Sequence, residues 1–251
     1  MSSNGLIEEA AEIILQAKHV TAFTGAGISV ESGIPPFRGK NGLWNKYDPG
    51  FLDISYFFTH TEDSWRLIKE IFYDYFGKAE PNDAHIALAK MESAGLLKAV
   101  ITQNIDHLHQ LAGSKTVFEF HGNSRDLICM DCHKRYQADD IDLNKLPPRC
   151  NECGGILKPD FIFFGEAIPE PANTLSFNEA HIADVFLVVG STGEVAPASA
   201  IPHIAKEHGA KIIEINVEPS SYTYSITDLF LNGKAVATMQ ALYKTISLNK
   251  K

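Results

Sequence analysis

Short apolar runs alternate with segments of helical spacing along most of the chain. The runs VFLVV at 185–189 and KIIEIN at 211–216 predict two buried strands, and residues 196–206 can form the helix between them. A strand, a crossover helix and a second strand in this order indicate parallel pairing. The sequence therefore predicts an α/β fold around a parallel sheet. Further strands are predicted at 19–24, 99–102 and 117–120.

Two amphipathic helices are predicted in the N-terminal half. The first covers residues 6–16, where apolar side chains recur at helical spacing. The second covers residues 84–94 and follows Asn82 and Asp83, which are favourable residues for a helix N-terminus. Its spacing predicts that three side chains are buried: His85, Leu88 and Met91.

Residues 25–44 begin like a phosphate-binding turn but do not continue as a helix. Gly25 and Gly27 follow a predicted strand, and glycines there let backbone N–H groups approach a pyrophosphate. In the usual dinucleotide motif a helix follows at once. Here helix is opposed by Gly33, Pro35, Pro36 and Gly39. We therefore expect a brief turn and then a loop that carries Phe37, Arg38 and Trp44.

Polar and glycine-rich loops follow the predicted strands, at the edge where parallel sheets bind ligands. After the strand at 99–102 come Gln103, Asn104 and Asp106, whose side chains can hydrogen-bond ribose hydroxyls and a carboxamide. An ordinary helix cap at Asn104 or Asp106 is the alternative. Two other strands end in the loops 190–192 (GST) and 216–218 (NVE).

His121 and Gly122 follow the run VFEF at 117–120. A histidine titrates near neutral pH and can act as a general base, and the adjacent glycine allows a substrate to approach closely. Because the chain has ten histidines, an incidental histidine is the alternative. His121 is therefore a candidate base.

All four cysteines lie in one window, as Cys129-x2-Cys132 and Cys150-x2-Cys153. Two such pairs are typical of a tetrahedral zinc site, in which each pair directs two thiolates at one ion. Four thiolates leave no position for water, so the metal is predicted to be structural. Two disulfides are the alternative, and the absence of an export signal favours zinc. The neighbouring His133 is predicted to lie on the surface.

The composition is that of a globular chain of 251 residues, 45% of them hydrophobic, with a formal net charge of −9. This acidic balance argues against nucleic acid as the main partner, because phosphate contacts require a surplus of lysine and arginine. No apolar run approaches the ~18–20 residues needed to cross a bilayer. We therefore expect a cytoplasmic protein with no membrane contact.

Several motifs together resemble the sirtuin family, the NAD-dependent protein lysine deacylases, in its prokaryotic type. They occur in the family's order and spacing over about residues 10–235: GAGISVESGIPPFRG, TQNIDHLH, the HG pair, the four-cysteine window, KPDFIFFGE, the GST loop and INVE. The resemblance implies a large Rossmann-like domain, formed by residues 1–36, 78–126 and 158–251. It also implies a small domain, made of a cofactor loop and helical insertion at 37–77 and a zinc module at 127–157.

The resemblance also implies the site residues, with NAD as co-substrate in the cleft between the domains and one structural zinc ion at the four cysteines. The catalytic residues implied are His121, which matches the family's base, and Asn104. The cofactor-binding residues implied are Gly25, Ala26, Gly27, Ser29, Phe37, Arg38, Trp44, Gln103, Asn104, Ile105, Asp106, Gly190, Ser191, Thr192, Asn216, Val217, Glu218 and Ala235. The substrate-binding residues implied are Ile162, Phe164, Gly165, Glu166 and Val195.

The implied reaction removes an acetyl group from a lysine side chain. The acetyl group passes to ADP-ribose, so that nicotinamide and 2'-O-acetyl-ADP-ribose are the products. The implied partners are acetyl-lysine proteins or peptides, with nicotinamide as product and inhibitor. Protein mono-ADP-ribosyl transfer and removal of other neutral acyl groups are the alternatives.

Two features bear on which acyl group and peptide are preferred. Gly193 and Glu194 replace a more apolar pair in the family's substrate loop. In the subgroup that removes acidic acyl groups, Tyr and Arg follow an aromatic residue at offsets of three and six. Counted from Trp65, this chain has Ile68 and Ile71 there, so a succinyl carboxylate would find no cation and neutral acyl groups are predicted.

Overall fold

The computed structural model describes residues 3–39 and 42–250 of the chain. Lys40 and Asn41, which belong to the predicted cofactor loop, lie outside the described residues, as do the first two residues and the last of the predicted large domain. No helix of the described ranges combines the length and apolar character needed to cross a bilayer.

Nine strands form two sheets within the described ranges. They are β1 (Val20–Thr24), β2 (Leu97–Thr102), β3 (Val117–Glu119), β4 (Gly122–Cys129), β5 (Arg135–Gln137), β6 (Leu157–Phe161), β7 (Val185–Val189), β8 (Lys211–Asn216) and β9 (Leu229–Asn232). The larger sheet has six parallel strands in the order β3-β2-β1-β7-β8-β9. The smaller sheet is antiparallel, in the order β5-β4-β6.

The helices flank these sheets. They are α1 (Ser3–Gln16), α2 (Ile54–Thr59), α3 (Thr61–Ile68), α4 (Asp83–Ser93), α5 (Leu108–Leu111), α6 (Ala172–Ile182), α7 (Ala200–Glu207) and α8 (Ala235–Asn249). Short 3-10 helices lie at Ala26–Ser32, Leu43–Asn45, Pro49–Leu52 and Ala138–Asp140, and Lys69–Tyr75 forms a π-helix. The helix after the glycines is thus a brief 3-10 turn, as predicted.

The large sheet is covered on both faces, which explains its continuous apolar runs. All five residues of β1 and of β7 are buried, because alternate side chains enter opposite cores. Ala22 and Leu187 pack against α1, α4 and α8, whereas Phe23 and Phe186 pack against α6 and α7. The α/β fold with a parallel sheet is confirmed.

The order of the strands creates a crevice at one edge of the large sheet. From β1 the chain continues outward to β2 and β3, and it then returns to β7 on the other side of β1. The loops that follow β1 and β7 therefore leave the same edge in opposite directions. Such a switch point is where open α/β sheets bind ligands.

Predicted and observed elements differ mainly at their ends. The helix at 84–94 is α4, whose N-terminus is capped by the Asn82 side chain, which accepts a hydrogen bond from Ala84 N–H at 2.9 Å. The crossover helix begins later than predicted, at Ala200, because Pro197 and the residue before it disfavour helical backbone.

The small domain combines the antiparallel sheet with the helical insertion. Trp65 and Phe57 from the insertion share one core with Leu127 and Leu157 from the sheet, and Trp65 Nε1 donates to Leu157 O at 2.8 Å. Packing against the helices therefore stabilises the cysteine module as well, a contribution that the sequence analysis did not include. The predicted limits at residues 127 and 157 cut through β4 and β6, and the domain division stays a prediction.

A methyl group at residue 27 should destabilise the fold. The Cβ of Gly27→Ala would lie 2.5 Å from Gly190 Cα and 2.8 Å from Gly190 O, so backbone must shift. We expect the free energy of unfolding, measured by urea titration, to fall by about 2 kcal/mol. Gly50→Ala is the control, since its nearest neighbour is the Asp48 side chain at 3.3 Å. Equal stability of the two variants would contradict this packing.

Candidate active site

A cleft of about 790 Å³ opens at the carboxyl edge of the large sheet. The predicted site residues that line it are Gly25, Ala26, Gly27, Phe37, Arg38, Trp44, Gln103, Asn104, Ile105, His121, Ile162, Phe164, Gly165, Glu166, Gly190, Ser191, Thr192, Val195, Asn216, Val217, Glu218 and Ala235. The two others outside the cysteines, Ser29 and Asp106, line an adjoining cavity of about 330 Å³. Both cavities share Ala26, Phe37, Phe72, Asn104 and Ile105.

The two glycines after β1 pack against the loop after β7. Gly25 N–H donates to Val189 O at 3.0 Å, and Gly27 N–H donates to Gly190 O at 2.8 Å. These amides are therefore engaged within the protein, and the glycines are required because a Cβ would overlap Gly190. The sequence analysis gave another reason, the close approach of backbone N–H groups to a pyrophosphate, which stays a prediction. Ala26 N–H has no partner within the described ranges and remains for a ligand.

Asn104 lies at the centre of a buried polar network. Its Nδ2 donates to Ser29 Oγ at 3.1 Å and to Gly25 O at 3.2 Å, and Ser29 Oγ donates to Asp106 Oδ2 at 2.6 Å. The amide oxygen of Asn104 is buried and has no protein partner among the described residues. An orphaned buried acceptor is costly unless a ligand satisfies it. Its chemistry fits the N–H donors of the nicotinamide carboxamide.

Asp106 has two structural roles. Its Oδ1 accepts a hydrogen bond at 3.0 Å from the N–H of Leu108, the first residue of α5, although the N-cap position of that helix is His107 and not Asp106. Burial raises the pKa of this carboxyl above its ordinary value, and the hydrogen bonds from Ser29 and Leu108 offset part of that rise.

Two buried histidines near this network had not been assigned to the site. His85 Nδ1 accepts a hydrogen bond from Asn82 N–H at 3.3 Å, so its proton lies on Nε2, which is 3.4 Å from Ser29 Oγ. Burial lowers the pKa of His85 to about 4, and the ring is neutral at neutral pH. His109 Nε2 lies 2.8 Å from Thr24 Oγ1. The sequence indicated burial of His85 through helical spacing but gave no sign of its contact with Ser29.

His121 is held in one tautomer by the backbone. Its Nδ1 lies 3.0 Å from Gln103 O, and because a carbonyl only accepts, Nδ1 carries the proton. The lone pair is then on Nε2, the nitrogen that can accept a proton from a substrate. Burial lowers the pKa of His121 below its ordinary value, with the Gln103 hydrogen bond opposing the shift. The geometry therefore supports a neutral base.

The remaining polar loops are joined to one another. Gln103 Nε2 donates to Ser191 Oγ at 2.9 Å, and Asn216 Nδ2 donates to Ser191 O at 3.0 Å. These amide donors hold the loops after β2 and β8 against the loop after β7. Val217 is more than half exposed at the mouth of the cleft.

An apolar wall, formed by Ile162, Phe164 and Val195, lines the cleft beside His121. Ile162 N–H donates to His121 O at 2.8 Å, so the segment after β6 is anchored beside the histidine. Phe164 is 46% exposed, whereas the preceding Phe163 is buried. Leu52 and Phe72 from the small domain also line the cleft and were not predicted to do so.

The positions used to predict acyl preference lie elsewhere. Ile68 and Ile71 are buried in the core of the small domain and are not among the residues that line the cleft. The acyl preference drawn from these positions stays a prediction. The apolar wall supplies a second basis, because its own side chains offer no cation to an acyl carboxylate. The cations that line the cleft among the described residues are Arg38 and Lys234, which are not part of that wall.

An ion pair joins the cofactor loop to the predicted substrate loop. Arg38 Nε lies 3.8 Å from Glu194 Oε2, and both side chains are largely exposed. At this distance and exposure the pair contributes little to stability. The pair marks where the two loops approach each other.

The four cysteines lie together in the small domain, and none is disulfide-bonded. Their Sγ atoms all lie within 4.8 Å of one another. Tetrahedral Zn–S bonds of ~2.3 Å place sulfur atoms ~3.8 Å apart, so the cluster fits one zinc ion. Backbone N–H groups of Cys132 and Glu152 point at two of the sulfurs, at 3.5 and 3.4 Å. His133 is exposed and outside the cluster, as predicted.

A family model described as the Sir2 family matches residues 25–197 of this chain. The chain belongs to the Sir2 family. It is 46% identical over 252 residues to a protein named NAD-dependent protein deacylase from Pyrococcus furiosus, with 96% of this chain and 98% of the relative covered.

Solved Sir2 structures resemble the fold closely. One, described as Sir2 bound to acetylated peptide, has a TM-score of 0.88 and 34% identity and covers 97% of this chain and 99% of its own. Another, a mutant Sir2 homologue in complex with 2'-O-acetyl ADP ribose, has a TM-score of 0.88 and 37% identity over 96% of both chains. The sirtuin resemblance stated from the motifs is confirmed.

Removing the metal should unfold the small domain. We expect purified protein to contain one zinc ion per chain by elemental analysis, and Cys150→Ser to lose the ion and melt at a lower temperature. Asn151→Ser, at an exposed neighbouring position, is the control and should keep both the zinc ion and the wild-type melting temperature. Zinc-free protein with unchanged melting would contradict a structural metal.

Proposed function

We propose how the residues of this chain carry out NAD-dependent protein deacylation. The reaction consumes NAD and one water, transfers the acetyl group of acetyl-lysine to ADP-ribose, and releases nicotinamide, the free lysine amine and 2'-O-acetyl-ADP-ribose. The observation that carries the residue assignment is the neutral His121, whose free Nε2 lies in the same cleft as the orphaned oxygen of Asn104. His121 Nε2 fits a proton acceptor, and the Asn104 oxygen fits the carboxamide of the co-substrate.

The co-substrate is bound along the carboxyl edge of the large sheet. Asn104 and Asp106 hold the nicotinamide end, Ala26 N–H meets the phosphates, and the loops 190–192 and 216–218 hold the adenosine half. Phe37 and Arg38 close over it and exclude water. When bound, NAD supplies the ribose carbon that the acetyl oxygen joins as nicotinamide leaves.

His121 acts as general base in the acetyl transfer. Nε2 accepts a proton from a ribose hydroxyl, which makes that oxygen nucleophilic toward the acetyl carbon. The Gln103 carbonyl orients the ring and stabilises the proton on Nδ1 as positive charge develops. Low dielectric around the buried ring strengthens this interaction.

The acetyl-lysine side chain enters along the apolar wall. Ile162, Phe164 and Val195 surround its methylene groups, and the peptide backbone pairs as a strand with Gly165 and the loop at 193–195. Backbone pairing of this kind tolerates many sequences. An acyl chain on this wall meets apolar side chains, which supports acetyl and other neutral acyl groups over succinyl.

The proposed partners follow from these contacts. They are proteins or peptides that carry acetyl-lysine, and nicotinamide is an inhibitor because the site at Asn104 and Asp106 can bind it as a free molecule. We propose a cytoplasmic protein, and its net charge of −9 argues against nucleic-acid partners.

Loss of the base should remove deacetylation but not co-substrate binding. For His121→Ala we expect kcat/KM for an acetyl-lysine peptide to fall by a factor of about 10²–10⁴. The Kd for NAD should change little. His181→Ala, at an exposed position, is the control and should retain activity. Full deacetylation by His121→Ala would contradict the assignment.

The pH dependence should report the lowered pKa of His121. A lowered pKa means that the neutral imidazole, the form that accepts a proton, persists to more acidic solution than for an exposed histidine. We expect kcat/KM to fall as the pH decreases, with a midpoint below 6.5. A midpoint at or above 6.5 would show that the ring is not desolvated as the structure has it.

A further inference from the structure

A buried lysine contacts the turn that forms one wall of the cleft. Lys158, in β6, has a side chain only 4% exposed. Its ammonium donates to Pro159 O at 2.9 Å and to Phe161 O at 2.7 Å, and it lies 2.9 Å from Glu166 Oε2. It also lies 4.1 Å from the centre of the Phe163 ring. All three ammonium hydrogens are thus used within one short segment.

Glu166 links the Lys158 ammonium to the backbone of the turn. Its Oε2 accepts a second hydrogen bond, from Phe163 N–H at 2.7 Å, and Glu166 N–H donates back to Phe163 O at 3.1 Å. Gly165, between them, has a φ of 90°, which favours glycine. The Oε2 atom of this carboxylate is therefore engaged within the protein.

The other side of the turn is fixed by the small domain. Phe164 N–H donates to Leu52 O at 2.8 Å, and Ile54 N–H donates to Phe164 O at 3.0 Å. Both backbone groups of Phe164 are thereby engaged. The backbone N–H and C=O of Gly165 have no partner in the described part of the chain, and Gly165 lines the cleft. These are the groups that an added peptide strand would pair with.

We infer that Lys158 is a positioning residue for the peptide substrate. Its ammonium holds Glu166, and Glu166 holds the turn so that the Gly165 backbone faces the cleft before peptide arrives. This inference rests on the proposed function, since it concerns the same peptide site. A pre-ordered edge lowers the ordering cost that the peptide must meet on binding.

The Lys158 cation is required to keep Glu166 in place, because the Lys158–Glu166 pair is largely removed from water. Burial lowers the pKa of Lys158, and the Glu166 carboxylate opposes that shift. Removing one partner leaves the other without its counter-charge, which is unfavourable in a buried setting. The unpaired Glu166 carboxylate then turns toward solvent and releases Phe163 N–H, and the turn loses its fixed geometry.

The test compares Lys158→Met with wild type in steady-state deacetylation. We expect KM for an acetyl-lysine peptide to rise about tenfold, with kcat and the Kd for ADP-ribose changed less than about twofold, because peptide must then order the turn. Lys158→Arg keeps the cation, so its peptide KM should lie much closer to the wild-type value than that of Lys158→Met. Lys145→Met, in an exposed ion pair with Asp142, is the control and should match wild type.

Glu166→Gln keeps the inference testable if Lys158→Met does not fold. It retains shape and an acceptor but removes the charge, so peptide KM should rise by about threefold. Unchanged peptide KM in a folded Lys158→Met or Glu166→Gln variant would overturn the inference. An equal loss of ADP-ribose affinity would also overturn it, since that indicates a general structural role. Wild-type protein without peptide-dependent NAD consumption would refute the proposed function instead.

Discussion

The cleft depends on direct backbone contact between the loops after β1 and β7. These strands are neighbours at the switch point of the sheet, so their loops leave the same edge and must pass each other. Gly27 N–H donates to Gly190 O at 2.8 Å, a distance that a side chain at either residue would prevent. This contact places Ser191 where it accepts hydrogen bonds from the side-chain amides of Gln103 and Asn216. These two bonds fix the loops after β2 and β8 as well.

The chemistry of the site is set by burial and by neutral hydrogen bonds more than by ion pairs. His121 is oriented by a backbone carbonyl, and Asn104 by a hydroxyl and a carbonyl. Burial keeps the imidazole of His121 neutral, so a base is available without a neighbouring carboxylate. The amide oxygen of Asn104 has no protein partner among the described residues, so it is available to a ligand. A polar site that is unsatisfied in the free protein favours binding a carboxamide.

Local signals in the sequence predicted the parts of the fold that depend on local chemistry. The strands β7 and β8 were recognisable because burial on both faces requires continuous apolar residues, and the four cysteines because zinc geometry fixes their spacing. The strand β4 was missed, since its polar sequence is half-buried against its partners. The burial of Lys158 was also unpredictable, because lysine is normally exposed and its acceptors come from a turn whose shape depends on distant residues.

The glycine turn shows the same limit in another way. The sequence correctly placed Gly25 and Gly27 at the cleft. The reason that glycine is needed there, close approach to Gly190, depends on a tertiary contact that no local pattern contains.

The proposed mechanism is tested most directly by product stoichiometry, measured by mass spectrometry after incubation with NAD and an acetyl-lysine peptide. It predicts one nicotinamide and one O-acetyl-ADP-ribose for each lysine deacetylated. ADP-ribose attached to the peptide, or nicotinamide released equally without peptide, would contradict it.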